Sequence, residues 1–538
     1  MFGSKFKRWL AGTAALSCLM GIVPTVDAAS ADKLPFDDIA GSFAKESIIR
    51  LYNKQLLSGT SARTFSPKQA VTRAEFITIL DRVLGITPVQ SAISPFKDLS
   101  ANAWYYGAVT AAVQVGLVDG TSAHTFEPSK PVTRQEAAIM LIRAFKQSGV
   151  SGDTSYYADA DKIASWADAA VGAALELNLM AGDANGNFKP ANGMTRQEIA
   201  AVIDRALQDD DWSAALAKKP NTARIQLGWQ YGQTTAQFEQ SVKQAGVNTM
   251  SPRWFFFDPA GVVASNADQS LVTWANKNNK QIWAMVGNRS NQEVTHQNLS
   301  NVTYRTKVVN QLAAYVQNYG LKGLNIDFEN VAPEDRSYMT AFISELSAKV
   351  HKLGAVVSVC VSPDLGSDWT EGFDYAALGA SADYIVMMAY DEHWSTSPLA
   401  GSVASMPYVN HAVDTLLDVV PASKVILALP YYNRDWTTNK NGTVTATELT
   451  LIEQNQTVKQ RKLLPEWNAS VQQYTVSYQL NGLKHQIWLE DGRSLAAKYK
   501  AAMDRNLAGM AYWYMGGASA DIYTSLGNAE RFYGLNFN

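Results

Sequence analysis

The run Gly323-Leu324-Asn325-Ile326-Asp327-Phe328-Glu329 alternates with a period of two, so that Asn325, Asp327 and Glu329 share one face of an expected strand. Two like charges two residues apart hinder each other's ionisation and raise at least one pKa. That chemistry suits a general acid, and the pattern expects Glu329 to be held protonated near neutral pH. On strand logic alone, a structural carboxylate cluster capped by Arg or Lys stands equal with this reading. The chain's six His fall at no metal-ligand spacing with Cys or carboxylates, so neither metal nor other cofactor is expected for the chemistry.

The elements that must position these groups are legible around them. Short apolar runs at Arg224 to Gly228, Thr249 to Phe257, Gln281 to Val286, Gly323 to Phe328, Val356 to Val361, Tyr384 to Ala389, Val425 to Leu429 and Gly509 to Trp513 alternate with amphipathic helical stretches. Eight such runs predict an α/β (β/α)8 barrel, whose reacting groups sit where strands end at the carboxyl-terminal face. An open doubly wound sheet is the alternative, but no Gly-rich phosphate turn follows the first run. Residues 435–487, rich in Thr, Asn and Gln, interrupt the alternation and are expected to form a small inserted α+β subdomain walling the cleft.

Ahead of the barrel, residues from about 34 to 207 repeat one pattern three times. Each copy opens on an aromatic-acidic element (Phe36-Asp37-Asp38, Phe96-Lys97-Asp98, Tyr157-Ala158-Asp159) and passes through a helical stretch, two of which begin at Trp104 and Trp166. Each then reaches Phe-x-Pro and closes on Thr72-Arg73-Ala74-Glu75, Thr133-Arg134-Gln135-Glu136 or Thr195-Arg196-Gln197-Glu198. Thr at an N-cap with Glu three residues on is the capping-box spacing. Capping accounts for Thr and Glu but not for Arg, which is either a solvated charge or, beside free helix N–H groups, part of an anion site.

Lys5, Lys7 and Arg8, the apolar run Trp9 to Pro24 and the small residues around Val26-Asp27-Ala28 read as a secretion leader over 1–28, with lipid attachment at Cys18 a minor alternative. Three repeat modules are expected at 29–90, 91–150 and 151–210, then a linker or terminal helix at 211–221 and the barrel at 222–538. A formal net charge of -3 offers no stripe for nucleic acid and no polybasic membrane anchor, so neutral or weakly charged partners fit better. Aromatic content of 10% exceeds what a barrel core needs and fits sugar faces stacking on exposed rings. With Cys18 in the leader, Cys360 has no disulfide partner and reads as a small buried hydrophobe. No later run is apolar enough to span a membrane.

The triple pattern resembles S-layer homology modules, which implies non-covalent attachment to a secondary cell-wall polymer of a Gram-positive-type envelope. Arg73, Arg134 and Arg196, with Trp104 and Trp166, stand at the matching positions, while the first copy has Phe43 or Ala44 near the Trp place. Asp327-Phe328-Glu329, Met388-Ala389-Tyr390-Asp391 on the sixth strand and Trp513 on the eighth resemble glycoside hydrolase family 18. Within it, Asn325, Tyr390-Asp391-Glu392-His393 and Ile487-Trp488-Leu489-Glu490-Asp491 are similar to the bacterial wall and spore-cortex N-acetylglucosaminidases.

That resemblance implies retention of configuration with the substrate's own 2-acetamido oxygen as nucleophile. Glu329 is then the acid, Asp327 orients the acetamide, Tyr390 bonds its oxygen and Trp513 floors the pocket; Asn325, Met388, Asp391 and Trp488 are cleft residues. Trp254 and Trp436 are expected to pack. Lys322 and Asn325 stand where many family chitinases carry Asp, and an amide donating from Asn325 is expected to keep Asp327 ionised to lower pH than a paired carboxylate would. Peptidoglycan is the expected substrate; chitin, another N-acetylglucosamine glycan and an inactive wall-anchored lectin are the alternatives.

Overall fold

The computed structural model describes residues 34–218 and 224–537. The expected leader over 1–28 and the end of the expected linker from Lys219 onward lie outside them. No helix among the described residues is long and apolar enough to cross a membrane.

Beyond Arg224 the strands run in chain order as β1 (Ile225–Gln230), β2 (Thr249–Asp258), β3 (Val262–Ser265), β4 (Gln281–Gly287), β5 (Gly323–Asp327), β6 (Val356–Val361) and β7 (Tyr384–Met388). Then follow β8 (Val425–Pro430), β9 (Tyr432–Thr438), β10 (Val444–Thr450), β11 (Glu466–Asn468), β12 (Gln473–Leu480), β13 (Leu483–Leu489) and β14 (Gly509–Trp513). Parallel pairing runs β1, β2, β4, β5, β6, β7, β8, β14 and returns to β1. The β1–β2 ladder closes the ring, which gives the expected barrel and excludes the open sheet. β3 folds back antiparallel on β2 as a hairpin.

Alternation splits the barrel's apolar residues into two layers. Leu227, Trp229, Trp283, Met285, Cys360, Val386 and Met388 cluster together inside it. Leu324, Ile326, Val357, Val359 and Ile385 belong to a larger core between strands and helices. The helix Val302–Tyr319 shows how a helix sets a strand. Asn301 caps it by accepting from Thr303 N and Tyr304 N, and Val308, Val309, Leu312 and Val316 bury at helical spacing. Each large aliphatic buried is worth about 1.5–3 kcal/mol. Gly320 at φ 62° then ends the helix in the left-handed region, three residues before β5 starts. A Cβ on Gly323 would lie 2.7 Å from the Trp283 ring, so the strand carrying the carboxylates begins where only glycine fits.

After β8 the chain builds a five-stranded antiparallel sheet in the order β10-β9-β13-β12-β11, with the helix Leu451–Gln460 beside it. This is the subdomain expected within 435–487, with its strands beginning at Tyr432 and ending at Leu489.

The three repeats close a second ring. Asp38, Asp98 and Asp159 each accept the two N–H groups that open their own copy's Phe-x-Pro turn, at 2.7 to 2.9 Å. The middle residues Ser66, Glu127 and Lys189 sit at φ 59°, 55° and 58°. Each Thr-Arg-x-Glu helix start then plugs into another copy's turn. Arg73 N and Ala74 N donate to Lys130 O and Pro128 O, Arg134 N and Gln135 N to Asn192 O and Pro190 O, and Arg196 N and Gln197 N to Gln69 O and Pro67 O. The guanidinium groups follow: Arg73 Nε donates to Phe126 O, Arg134 Nε to Phe188 O and Arg196 Nε to Phe65 O. Arg73 also pairs Glu136 at 2.8 Å and Arg134 pairs Glu198 at 3.3 Å.

The expectation of a solvated charge or of an anion site at free helix N–H groups is corrected here: both sets of donors are consumed in joining the copies. What faces outward is aromatic. Phe43, Trp104 and Trp166 are 71%, 68% and 60% exposed, and Phe43 occupies in the first copy the place that Trp fills in the others.

In the segment expected as linker or terminal helix, Asp210–Ala217 is a helix whose Trp212 stacks on Phe145, ring centroids 4.6 Å apart. The chain's last residues join the same core, where Phe532, Leu535 and Phe537 pack among the repeats' side chains. Lys146 Nζ donates to Tyr533 O and Leu535 O at 3.0 and 2.7 Å, and Arg531 Nε donates to Leu84 O at 2.9 Å.

Removing one partner of a buried pair leaves the other unmet, at a cost of about 3–5 kcal/mol. Arg73→Ala is therefore expected to lower the urea midpoint of the repeat region far more than Trp104→Ala, whose cost should stay within about 0.5 kcal/mol. Equal midpoints for the two variants, followed by circular dichroism, would refute the ring account.

Candidate active site

The barrel delivers its polar interior residues to the carboxyl end of β5. Asn325 is fully buried and its amide is saturated. Its Oδ1 accepts from Trp229 Nε1 at 2.8 Å and from Ser251 Oγ at 3.3 Å, and its Nδ2 donates to Ser358 Oγ at 2.9 Å and to Cys360 Sγ at 3.4 Å. The amide thus ties β1, β2, β5 and β6 together and gives nothing to Asp327, contrary to the sequence expectation.

Asp327 lies one step up the strand, 8% exposed, with Oδ1 buried and unpartnered. Burial pushes its carboxyl up to about 7, and the neighbouring Glu329 charge adds to the rise while Arg253 and a bond with Cys360 oppose it. Here the structure corrects one reading: the strand pattern expects at least one raised carboxyl, and Asp327 is one, so the amide at Asn325 does not hold Asp327 low. Burial likewise pushes the Cys360 thiol up. Cys360 is buried as expected, yet it is also a polar neighbour beneath the carboxylate pair.

Glu329 stands at the strand's exit, half-buried, and its Oε2 accepts from Ser290 Oγ at 2.8 Å. The loop after β4 locks it in place. Asn288 Oδ1 accepts from Glu329 N at 3.1 Å while its Nδ2 donates to Glu329 O at 2.8 Å, and Asn330, at φ 54°, donates to Ser290 O at 3.1 Å.

Tyr390, just past β7, packs against both apolar layers. Burial raises its phenol, with Tyr432 and Asp327 contributing, which places the hydroxyl in the field of Asp327. Met388, 8% exposed, packs in the interior cluster below it. Trp513 ends β14 with one edge against Trp229, centroids 5.8 Å apart, and stacks on Tyr231 at 5.5 Å. Asp391, at φ 59°, is turned toward the inserted sheet, where Tyr432 Oη donates to it at 2.8 Å and Arg434 pairs with it at 2.9 Å. In the register that sets Ile487 opposite Asp435, Trp488 falls beside Arg434 and on its face of the sheet.

The structure therefore gathers Asn325, Asp327, Glu329, Met388, Tyr390 and Trp513 at one barrel mouth, with Asp391 and Trp488 on the wall beside it. The other acids of the resembling motifs have architectural partners. Glu392 accepts from Ser405 N and Oγ at a helix start, Glu490 is fully buried against Lys498, and Asp491 caps the helix Gly492–Asp504. Trp254 and Trp436 are buried. Sequence reasoning missed Trp229, Arg253, Asn288 and Ser290. Trp229, Asn288 and Ser290 lie at or just past strand ends, the place from which a barrel presents functional side chains, while Arg253 lies midway along β2.

A buried carboxyl titrating near neutrality beside a second, hydroxyl-bonded carboxyl can hold and transfer one proton at a mouth that aromatic side chains border. Comparison with known proteins follows the same division of the chain. Residues 216–518 match the glycosyl hydrolases family 18, and residues 35–77, 95–138 and 156–200 match the S-layer homology domain. The chain is 27% identical over 317 residues to the "Uncharacterized glycosylase YvbX" of Bacillus subtilis (strain 168), covering 56% of this chain and 91% of that protein. It is also 27% identical over 232 residues to the "Cortical fragment-lytic enzyme" of the same organism, covering 40% of this chain and only 52% of that one. Among solved structures, a chitinase from Chromobacterium violaceum ATCC 12472 matches with a TM-score of 0.53 at 23% identity, over 57% of this chain and 99% of that one.

The Asp327 carboxyl, raised to about 7 from an ordinary 3.8, is protonated in the folded and unfolded chain alike below about pH 4 and must ionise at a cost in the folded chain above pH 7. Stability from this group is thus lost as pH rises through that window. Asp327→Asn is expected to stabilise the protein by roughly 2–4 kcal/mol at pH 8, with the gain fading toward pH 4. Urea midpoints across that range test this; a gain that is flat with pH, or grows toward acid, would sink it.

Proposed function

The chain belongs to the glycosyl hydrolases of family 18, with S-layer homology repeats ahead of its barrel, and from that premise we propose that it cleaves β-linked N-acetylglucosamine in peptidoglycan at the cell wall. The observation that carries the reading is the Asp327–Glu329 pair at the barrel mouth, with Tyr390 beside it and Trp513 at the end of the last strand against Trp229.

In the proposed reaction the one proton held by the Asp327–Glu329 pair passes to Glu329, which delivers it to the glycosidic oxygen as the substrate's acetamido oxygen attacks the anomeric carbon, so the enzyme needs no nucleophile of its own. Asp327 orients the acetamide N–H and stabilises the positive charge that develops on the ring it forms. Tyr390 hydrogen-bonds the acetamide, and Trp513 carries the sugar's apolar face. A water, deprotonated by Glu329, then opens the intermediate with net retention. Asp327's unpartnered oxygen supports this role, since it is a buried acceptor without a donor until a substrate N–H arrives. Peptidoglycan is favoured over chitin by the wall-binding repeats and by a relative named for lysing cortical fragments.

The repeats are proposed to hold the enzyme on a secondary wall polymer. Phe43 and Arg134 line one cleft of about 480 Å³ together with Arg205. Trp104 and Trp166 offer exposed rings in the other copies, and Arg73 and Arg196 shape the grooves by fixing their turns.

The purified protein is expected to release defined glycan fragments from peptidoglycan, identified by mass, and Glu329→Gln to lower the rate by at least about a hundredfold. Fragments only from chitin oligosaccharides would reverse the substrate order, and no fragments from either would favour a wall-bound lectin. The variant in which Phe43, Trp104 and Trp166 are all Ala is expected to stop co-sedimenting with purified walls while keeping its unfolding midpoint. Unchanged sedimentation would remove the aromatic grooves from the reading.

A further inference from the structure

We propose that the cleft between the end of β1 and the middle of β2 reads a carboxylate carried by the sugar next to the acetamido sugar that is cut, and that Arg253 is the residue that binds it. The inference rests on the hydrolase reading above and deepens it, since it separates an alternating polymer whose second sugar bears a carboxylate ether from a neutral N-acetylglucosamine homopolymer.

Arg253 lies on β2 with its guanidinium carbon 4.9 Å from the Tyr231 ring centroid and 5.5 Å from that of Phe256. Two rings within cation–π reach restrain a planar cation and leave its edges for ligands. Its Nε is buried without a partner, and among the described residues Arg253 forms no hydrogen bond or ion pair. The neighbouring arginine is already paired. Arg289, which also faces Phe256, pairs with Asp258 at 2.6 Å and donates to Phe257 O at 2.9 Å. Arg434, on the inserted sheet and outside this cleft, also keeps Nε without a hydrogen bond but has its charge paired with Asp391 at 2.9 Å.

The cleft is open, about 430 Å³, and lined by Gln230, Tyr231, Gln233, Arg253, Trp254 and Asp268 among others. Tyr231 is 44% exposed and stacks on Trp513, so cleft and sugar floor share an aromatic wall. Asp268, the carboxylate within the cleft, is occupied: it accepts from Ser270 N at 2.8 Å and from the hydroxyls of Ser270 and Thr235 at 2.6 Å each. Asp327 feels the Arg253 charge, yet no ion pair joins them. A guanidinium kept short of partners beside a sugar platform matches a carboxylate, which it binds in a two-pronged, charge-assisted fork. A neutral homopolymer has no group that would repay stripping water from it. In peptidoglycan, the lactyl ether of a muramyl sugar supplies one wherever no peptide stem is amide-linked to it.

The test measures binding by calorimetry in full-length Glu329→Gln, so that no cleavage occurs. The probes are a muramyl-containing tetrasaccharide and the same compound with its lactyl carboxyl reduced to the alcohol. The native compound is expected to bind about ten- to a hundredfold tighter than the reduced one. Adding Arg253→Met should bring that ratio close to one, and Arg253→Lys should restore part of it. A ratio near one in Glu329→Gln itself overturns the proposal, and so does a ratio that Arg253→Met leaves intact. Loss of affinity for both compounds alike would make Arg253 a structural prop and also overturn it. Because the ratio needs no turnover, it decides the role of Arg253 even if the wild type cuts nothing. Conversely, cleavage of peptidoglycan by wild type with a ratio of one would leave the hydrolase reading standing alone.

Discussion

Asp327 keeps an acidic group in the barrel's dry interior with one oxygen unmet, and the rest of the site is arranged around that cost. The cause lies one layer deeper. Asn325 would be the natural donor, but its amide is exhausted by Trp229, Ser251, Ser358 and Cys360. With that donor spent, burial and the charge of Glu329 outweigh the pull of Arg253, and Asp327 carries its proton up to about 7. Two acids therefore share fewer than two charges at neutral pH. The same amide that sets the carboxyl's proton also fixes the strands that surround it, so geometry and proton affinity are not separately adjustable.

The repeats solve a different problem with a similar economy. A helix start leaves N–H groups unmet, and the three Thr-Arg-x-Glu helices satisfy theirs by plugging into one another's Phe-x-Pro turns. Each arginine follows its helix start across the joint, lying over the partner copy's Phe ring at 4.4 to 5.0 Å. A ring of three such joints has no open end, which makes each copy depend on both others. Chemistry toward the outside then falls to what the joints leave over, chiefly the exposed aromatic residues.

Much of this was legible before any coordinates. Short apolar runs located all of the barrel strands, because strands buried on both faces read as near-continuous apolar stretches, and the capping tetrads marked three helix starts. Partners across the barrel were not legible. That Asn325 meets Trp229, Ser251, Ser358 and Cys360 depends on register among strands far apart in sequence, and misjudging it reversed the expected ionisation of Asp327. The arginines failed for the same reason. A helix start read alone has free N–H groups, and only the neighbouring copy's carbonyls show them taken. Glu392, Glu490 and Asp491 sit within motif-like runs yet serve helix starts and a buried ion pair, which local sequence does not separate from cleft residues.

The joint between the two halves bears on how such a protein would work at a surface. Trp212 and the tail residues Phe532, Leu535 and Phe537 share one core with the repeats, and Asn528 exchanges hydrogen bonds with Thr87 at 2.7 and 2.8 Å. The barrel is thus fastened by its own last helix, Ala520–Gly534, and does not hang on a free tether. A flexible linker would raise the local substrate concentration over a radius set by its length, while a fastened joint does so only along the directions the interface permits. On the proposed function, reach is then governed by the mobility of the wall polymer, and the mouth meets glycan in a restricted set of orientations. Under that restriction, selectivity must come from groups within the mouth itself, among which Arg253 is a charge that the protein does not use internally.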